Sequence, residues 1–156
     1  MPASSVRELV DFLQEKSLRL RTGIWLLPPR LLGNAANEAA RLNVDSIDIR
    51  DSLLASLPEG TRFLGLTADR ILELLQEVSE QFSDTECIHI FNLDLLLAKL
   101  PEEQRDAVWQ SLYSAFPHRR HALLISMPEG ASHLLPTGSA WQAWISDKRL
   151  ASGNQN

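Results

Sequence analysis

The amino-acid sequence predicts an α/β domain in which helices cover both faces of a mainly parallel sheet of four to five strands. Short apolar runs of strand length alternate along the chain with amphipathic helical segments, a pattern typical of parallel sheets with helical crossovers. The run Ile24–Leu27 lies between Gly23 and Pro28-Pro29, as expected of a strand that is buried on both faces. Right-handed crossovers then place helices on both sides of the sheet, which gives three layers, α/β/α.

Length and composition bound the class of protein. The chain has 156 residues, which suffices for a real core, and we expect one domain over residues 1–151 followed by a disordered tail at 152–156. The net charge of -5 argues against a general nucleic-acid-binding protein. No apolar run approaches the ~20 residues of a membrane span, and the N-terminus has no signal-peptide core. The single Cys87 excludes an internal disulfide framework. We therefore expect a cytoplasmic protein without a membrane contact.

In the first half of the chain, Ser5–Glu8 is a capping box at the head of an amphipathic helix. The strand Ile24–Leu27 is followed by a turn and an alanine-rich helix with a slim apolar side. A second strand is expected within Asn43–Ile49 and a helical turn at Leu53–Leu57. A short extended segment is expected at Phe63–Leu66.

The second half continues the alternation of helix and strand. The expected elements are a helix capped by Thr67 and ending near Phe82, a third strand Glu86–Phe91, a helix opened by Pro101, a fourth strand Ala122–Ser126 and a last helix near Ser139–Asp147.

The segment after the first strand has the layout of a phosphate-binding loop. The phosphate-loop pattern is G-x-x-x-x-G-K-[ST] between a strand and a helix. On Pro28–Ala35, which includes Arg30, only the second glycine, Gly33, is retained. Pro28 replaces the first glycine, and Pro28 and Pro29 remove two backbone N–H donors that would point at an anion.

The two positions that follow Gly33 have lost the groups that bind a nucleotide. Asn34 replaces the lysine and cannot neutralise phosphate charge, and Ala35 replaces the hydroxyl that would hold magnesium. The segment is read either as a vestigial loop or as a plain strand–turn–helix without ligand history.

The order of the elements resembles that of ATPases whose third strand ends in the Walker B acid and whose fourth strand carries a sensor residue. In such proteins the acidic residues hold magnesium, and here that place reads Phe91-Asn92-Leu93-Asp94. Asn92 and Asp94 are thus a vestigial Walker B site. The alternative is that Asn92 starts a turn and Asp94 caps a short helix, Leu95–Leu97.

Three segments resemble one small protein family. They are Leu53–Glu59, then Asn92-Leu93-Asp94, and Arg119-Arg120 leading into the fourth strand. Over Arg21–Trp144 the chain is similar to the BrxF P-loop proteins of BREX phage-defence systems. This resemblance implies a P-loop NTPase-like (RecA/AAA-like) topology. Because the lysine, the hydroxyl and the first acid are missing, it implies either a pseudo-ATPase or a member of a sister defence locus.

Two side-chain groups are candidates for contacts with a partner. Arg119 and Arg120 either meet an acidic protein, a phosphate or a neighbouring subunit, or they lie in a solvated loop at the end of a helix. Trp141 and Trp144 either close the core or are exposed anchors for a partner.

Three further residues have simpler interpretations. His89, in an apolar strand, is read as a core histidine. Lys148 and Arg149 suit the negative end of the last helix.

The function that follows from this reading is a non-catalytic adaptor that docks onto larger protein subunits of an antiviral complex, with no cofactor, no bound metal and no direct nucleic-acid contact. A homo-oligomer stays open. One alternative is a nucleotide-binding switch that does not hydrolyse. Another is a small enzyme in which Asp94, His118 or His121 acts as acid or base.

Overall fold

The computed structural model describes residues 5–14, 21–56, 66–81, 85–116 and 121–152. Within these ranges strands and helices alternate. The elements are α1 Val6–Leu13, β1 Thr22–Leu27, a 3-10 helix Pro29–Asn34, α2 Ala35–Arg41, β2 Asp45–Asp48, α3 Ile49–Ser56, α4 Ala68–Ser79, β3 Cys87–Phe91, α5 Leu93–Leu97, α6 Glu102–Ser114, β4 Ala122–Pro128, a 3-10 turn Ser132–Leu134, α7 Gly138–Ser146 and β5 Leu150–Ser152.

The five strands form one sheet in the order β2-β3-β4-β1-β5, and every neighbouring pair is parallel. The predicted α/β class is thereby confirmed. The expectation that Ile24–Leu27 lies inside a parallel sheet beside Ala122–Ser126 is confirmed too, because β1 lies between β4 and β5 and Ile24 is opposite Ile125.

Successive side chains of each strand enter two separate cores, as the two-residue period of a strand requires. On one face the core joins Ile24, Ile88, Ile90, Leu123, Ile125, Met127 and Leu150 to residues of α3 through α7. On the other face Trp25, Leu27, Cys87, Ala122, Leu124 and Ala151 pack with α1 and α2. The three-layer arrangement follows from this division.

Helix α1 lies close against β1, and Gly23 makes the approach possible. A Cβ atom at Gly23 would lie 3.0 Å from Leu9 Cδ1 and 3.1 Å from Leu13 Cδ1. The helix begins as predicted, since the Ser5 hydroxyl accepts the backbone N–H of Glu8 at 3.2 Å.

Several boundaries differ from the sequence prediction. The fifth strand, Leu150–Ser152, was not located in advance, and it takes in Ser152, which had been assigned to the tail. Helix α3 is a full Ile49–Ser56 rather than a turn, and α4 ends at Ser79, before Phe82.

Two further expectations, the extended segment at Phe63–Leu66 and the tail at 152–156, lie mostly outside the described ranges. Of the extended segment expected at Phe63–Leu66, residues 63–65 lie outside the described ranges, and Leu66 is in no strand. Residues 153–156 of the expected tail also lie outside them. Across the described ranges, no helix combines the length and the apolar character that crossing a bilayer needs.

Candidate functional site

The segment after β1 forms a 3-10 helix rather than an open phosphate-binding loop. Pro29–Asn34 winds into a 3-10 helix, in which the Leu31 backbone N–H donates to the Pro28 carbonyl oxygen at 2.9 Å. Leu31 is buried in the core beneath α1 and α2. A Cβ at Gly33 would meet nothing within 4 Å, and its φ lies outside the left-handed region. The retained glycine is therefore not required by the backbone conformation found here.

The residues that replace the phosphate-binding pair are engaged within the protein. Asn34 lies just before α2 and makes no side-chain cap, but its Oδ1 accepts the Asn37 side-chain amide at 2.6 Å. Ala35 is buried, and Arg30 is exposed. A seven-residue α2 that starts with a buried alanine presents neither the charge nor the oxygen of a nucleotide site.

Asn92 joins the carboxyl ends of two neighbouring strands. It has φ +69°, so the prediction that it starts a turn is confirmed. Its side-chain amide donates to Asp48 Oδ2 at 2.9 Å. Asp48 Oδ1 accepts the backbone N–H groups of Arg50 and Asp51 at 3.0 and 3.3 Å, which caps α3. The sequence signal for Asp48 was an acidic residue between a strand and a helix, and it was missed.

Asp94 is not at the N-cap position predicted for it, although its carboxyl group bonds with backbone N–H groups in the first turn of α5. Helix α5 begins at Leu93, with Asn92 in the cap position, so Asp94 lies inside the first turn. The carboxyl group is half-buried. Burial raises the pKa of Asp94, while its hydrogen bonds with the backbone N–H groups of Asp94 and Leu95 oppose that shift.

The segment after β1 and the segment after β3 meet at a small cavity of about 110 Å³ at the carboxyl edge of the sheet. Leu32 and Ala35 line it from the loop side, and Phe91, Asn92 and Asp94 line it from the β3 side. Pockets that hold drug-sized ligands are about 300–1,000 Å³. The cavity is thus too small for a nucleoside triphosphate, although it lies where parallel α/β sheets gather their ligands.

Two comparisons of the chain with known proteins found no match. No family model matches it, and no curated protein matches it. Its function has to be inferred from its own side chains and surfaces.

His89 is a hydrogen-bonded core histidine, as predicted. Its Nδ1 pairs with the Ser46 hydroxyl at 2.9 Å and its Nε2 with the Ser126 hydroxyl at 2.8 Å. Burial lowers the pKa of His89 to about 3. A histidine with so low a pKa is a poor general base for the neighbouring serine, so the trio stabilises the sheet. The three residues come from β2, β3 and β4, which is why the chain order gave no sign of their pairing.

The candidate acid–base residues are not brought together. His121 precedes β4 at the amino edge of the sheet, whereas Asp94 follows β3 at the carboxyl edge. With about 3.3 Å per strand residue, roughly 15 Å or more separates them. His121 is buried, and neither of its ring nitrogens has a hydrogen-bond partner among the described residues. His118, Arg119 and Arg120 lie outside the described residues.

Trp144 closes the core and is not an exposed anchor. It is fully buried, with its ring 6.1 Å from that of Trp109, and Arg149 lies 4.4 Å above it. Trp141 is partly buried and packs against the same core. Arg149 follows α7, and its side chain is buried.

Two larger grooves lie away from the vestigial cavity. One, of about 620 Å³ between α6 and α7, has a floor that includes the buried Trp109 and Trp144 and an acidic rim of Glu103 and Asp106. Arg149 already covers the Trp144 ring, so that floor is not available as a cation site.

The other groove, of about 530 Å³, runs between α3 and α5. It is lined by four leucines, Leu53, Leu54, Leu95 and Leu96, together with Ala98 and two cations, Arg50 and Lys99. We call it the leucine groove.

Among the described residues, the exposed large hydrophobic side chains are Leu32, Leu54 and Leu95, at 43%, 49% and 43% exposure. They follow β1, β2 and β3 respectively, on the segments that leave the carboxyl ends of these strands. The carboxyl edge of the sheet thus carries exposed leucines beside the polar side chains of Asp48, Asn92 and Asp94.

The part of the chain that the structure describes has no metal-binding cluster and no reactive thiol. No three histidine, cysteine, aspartate or glutamate side chains there are grouped so as to hold a metal ion. Cys87 is buried as a free thiol, and burial raises its pKa to about 12, so it is not a reactive thiolate.

Proposed function

We propose that the protein is a non-catalytic docking module: a pseudo-ATPase-like adaptor that acts in the cytoplasm as a subunit or regulator of a bacterial antiviral, BREX-like defence complex. The observation that carries the proposal is the cavity at the carboxyl edge of the sheet. The residues that correspond to both halves of a nucleotide site converge there, yet the space is about 110 Å³ and its walls include Leu32, Ala35 and Phe91.

The sheet order supports descent from a P-loop scaffold. The strand that carries the vestigial loop, β1, has β4 as its neighbour, and β3 lies beyond β4. This is the arrangement that the resemblance to ATPases with a Walker B third strand implies. The scaffold would then persist as a rigid platform after the phosphate chemistry was lost.

The surface properties support docking. Exposed leucines scattered singly are ordinary, but a contiguous apolar patch on a protein surface marks an interaction site. Leu54 and Leu95 line one groove. Leu32 lies at the same edge of the sheet, in the 3-10 helix after β1. These side chains suit a protein partner better than a phosphate group.

The alternative is a switch that binds a nucleotide without hydrolysing it. It requires the edge to enlarge well beyond the present cavity and to neutralise phosphates without the lysine that Asn34 replaces. A ligand at about 100 times its dissociation constant stabilises a fold by ~2.7 kcal/mol. A thermal unfolding curve that ATP, ADP or GTP with magnesium leaves unchanged would remove the switch.

The adaptor proposal is tested by purification from the native operon. The protein, tagged at its chromosomal locus, is isolated with the products of the flanking genes. We expect a stoichiometric complex with a large partner encoded there, next to a methyltransferase gene and a phosphatase-like gene. If the protein elutes alone although every neighbouring product is expressed, the adaptor proposal fails.

A further inference from the structure

We propose that the leucine groove binds an acidic, leucine-rich amphipathic helix of a partner protein. This proposal rests on the docking function above and names the surface and the chemistry of the occupant. The groove lies between α3 and α5, and its walls are Leu53 and Leu54 on one side and Leu95 and Leu96 on the other.

The shape and the apolar lining favour a helix as the occupant. A groove between two helices receives the apolar face of a third helix, with anchors at positions i, i+3 or i+4, and i+7. Leu54 and Leu95 are about half exposed, so a partner would remove a large part of their apolar surface from water. Leu53 and Leu96, the other two leucines of the walls, are buried.

The charge at the groove selects an acidic partner. Among the described residues, its charged lining side chains are Arg50 and Lys99 and none is a carboxylate, although the whole chain carries a net charge of -5. Asp51 follows Arg50 in α3 but does not line the groove. Neither Arg50 nor Lys99 forms an ion pair within the described ranges. Two cations beside an apolar strip are complementary to a helix that carries glutamates beside its leucines.

The surrounding hydrogen bonds hold the two walls in place. Asp48 caps α3 and also accepts the amide of Asn92, which is the residue before α5. The spacing of the walls is thereby set by a side chain at each strand end. In this reading the vestigial Walker B position Asn92 has become a support for the groove.

The experiment selects helices against the full-length protein. A displayed library of helices of about 18 residues, or about five turns, carries leucine at i, i+3, i+4 and i+7, with Glu, Lys, Ser or Ala at the flanking positions. Clones that still bind the double variant Leu54→Ala/Leu95→Ala are discarded. We expect the surviving clones to be enriched in glutamate. A library that yields no clone able to distinguish the variant, or that enriches lysine, overturns the proposal.

Affinities of the selected peptide are then compared by fluorescence anisotropy. We expect Leu54→Ala/Leu95→Ala to weaken binding by about tenfold or more, with Leu32→Ala, an exposed leucine outside the groove, as the matched control. Lys99→Glu should weaken binding by a similar factor at low salt, whereas Lys148→Glu should not. Equal effects of the groove and control variants contradict the proposal. Circular dichroism checks that each variant is folded.

Two further outcomes separate the groove from its alternatives. If the partner complex from the native operon survives Leu54→Ala/Leu95→Ala and Lys99→Glu, the groove proposal fails while the docking function stands. If the purified protein self-associates and Leu54→Ala/Leu95→Ala abolishes the association, the occupant is a second copy, and the acidic-helix proposal is overturned.

Discussion

At the scale of single residues, His89 links the stability of the sheet to pH. Its ring is buried between the Ser46 and Ser126 hydroxyls, and burial lowers its pKa from 6.5 to about 3. Between these two pH values the unfolded chain binds a proton that the folded chain does not. The stabilisation is complete above pH 6.5 and is lost as the pH falls towards 3.

We therefore expect the free energy of unfolding to decrease below pH 6.5 by up to about 1.4 kcal/mol per pH unit from this residue. His89→Asn removes the titrating ring, so its unfolding free energy should fall less steeply with decreasing pH. Urea unfolding of both proteins between about pH 7 and pH 4 measures the difference, and the other titrating groups cancel in it. Parallel pH profiles would show that His89 is not responsible.

Arg149 is a second buried residue whose contribution to the stability of the fold can be tested. Its guanidinium lies 4.8 Å from the Tyr113 ring centre and 4.4 Å from that of Trp144. Its hydrogen bonds reach the carbonyl oxygens of Thr22, Leu112 and Tyr113 and the Thr22 hydroxyl. Burial lowers its pKa to about 10, which leaves it charged at neutral pH.

Arg149→Met should destabilise the fold by about 3 kcal/mol, because it leaves buried carbonyl groups without a donor and removes the contacts with both rings. Arg149→Lys should recover less than half of this loss, since an ammonium cannot reproduce the planar fork. Lys148→Gln, at the exposed neighbouring position, should change stability by no more than about 0.5 kcal/mol. Denaturant unfolding measures all three, and full recovery by lysine would show that only the charge matters.

At the scale of elements, the contact between α1 and β1 depends on the absence of a side chain at Gly23. A Cβ there would approach the methyl groups of Leu9 and Leu13 to 3.0–3.2 Å. These atoms are the ends of flexible side chains, so α1 can shift rather than detach. Gly33 offers the matched control, because a Cβ there meets nothing within 4 Å.

We expect Gly23→Ala to destabilise the protein by about 1 kcal/mol and Gly23→Val by about 2–3 kcal/mol, through overpacking. Gly33→Ala should be neutral or stabilise by up to about 1 kcal/mol, because it reduces the entropy of the unfolded chain. Thermal unfolding compares the three variants. Strong destabilisation by Gly33→Ala would mean that this glycine still serves a conformation needed by a phosphate loop.

The elements show which features the sequence could predict. Regular periodicity was enough for β1, β3, β4 and the long helices, because a buried strand and an amphipathic helix carry distinct apolar patterns. Strand β5 has only three residues, and it pairs with β1 from the far end of the chain. Arg149, just before it, is hydrogen-bonded to Thr22 and Ile24 of β1, and the local sequence pattern gives no sign of these contacts.

The candidate site was predictable only in part, for the same reason. The losses at Pro28, Asn34 and Ala35 could be read directly from the loop pattern. The 3-10 winding could not, because it depends on Leu31 finding a place in the core under α1 and α2. The bond between Asn92 and Asp48 joins residues 44 positions apart, so neither residue predicts the other.

At the scale of the whole molecule, β1 lies between β4 and β5, and the cavity at the carboxyl edge of the sheet is small, at about 110 Å³. If lost side chains alone had ended nucleotide binding, restoring them would bring it back. If the geometry of the edge has also changed, restoration of two residues is not enough. Pro28 and Pro29 still remove two N–H donors, and Leu32 and Phe91 still line the cavity.

We therefore expect that the double variant Asn34→Lys/Ala35→Ser does not bind ATP. Serine is chosen because Ala35 is buried and a larger residue would strain the start of α2. Saturating ATP with magnesium should leave the melting temperature of the variant within about 1 °C of its ligand-free value. A bound nucleotide at about 100 times its dissociation constant would raise it by roughly 5–10 °C. The ligand-free melting curve of the variant shows that it is folded. A rise of that size would show that two side chains, rather than the shape of the edge, prevent ATP binding.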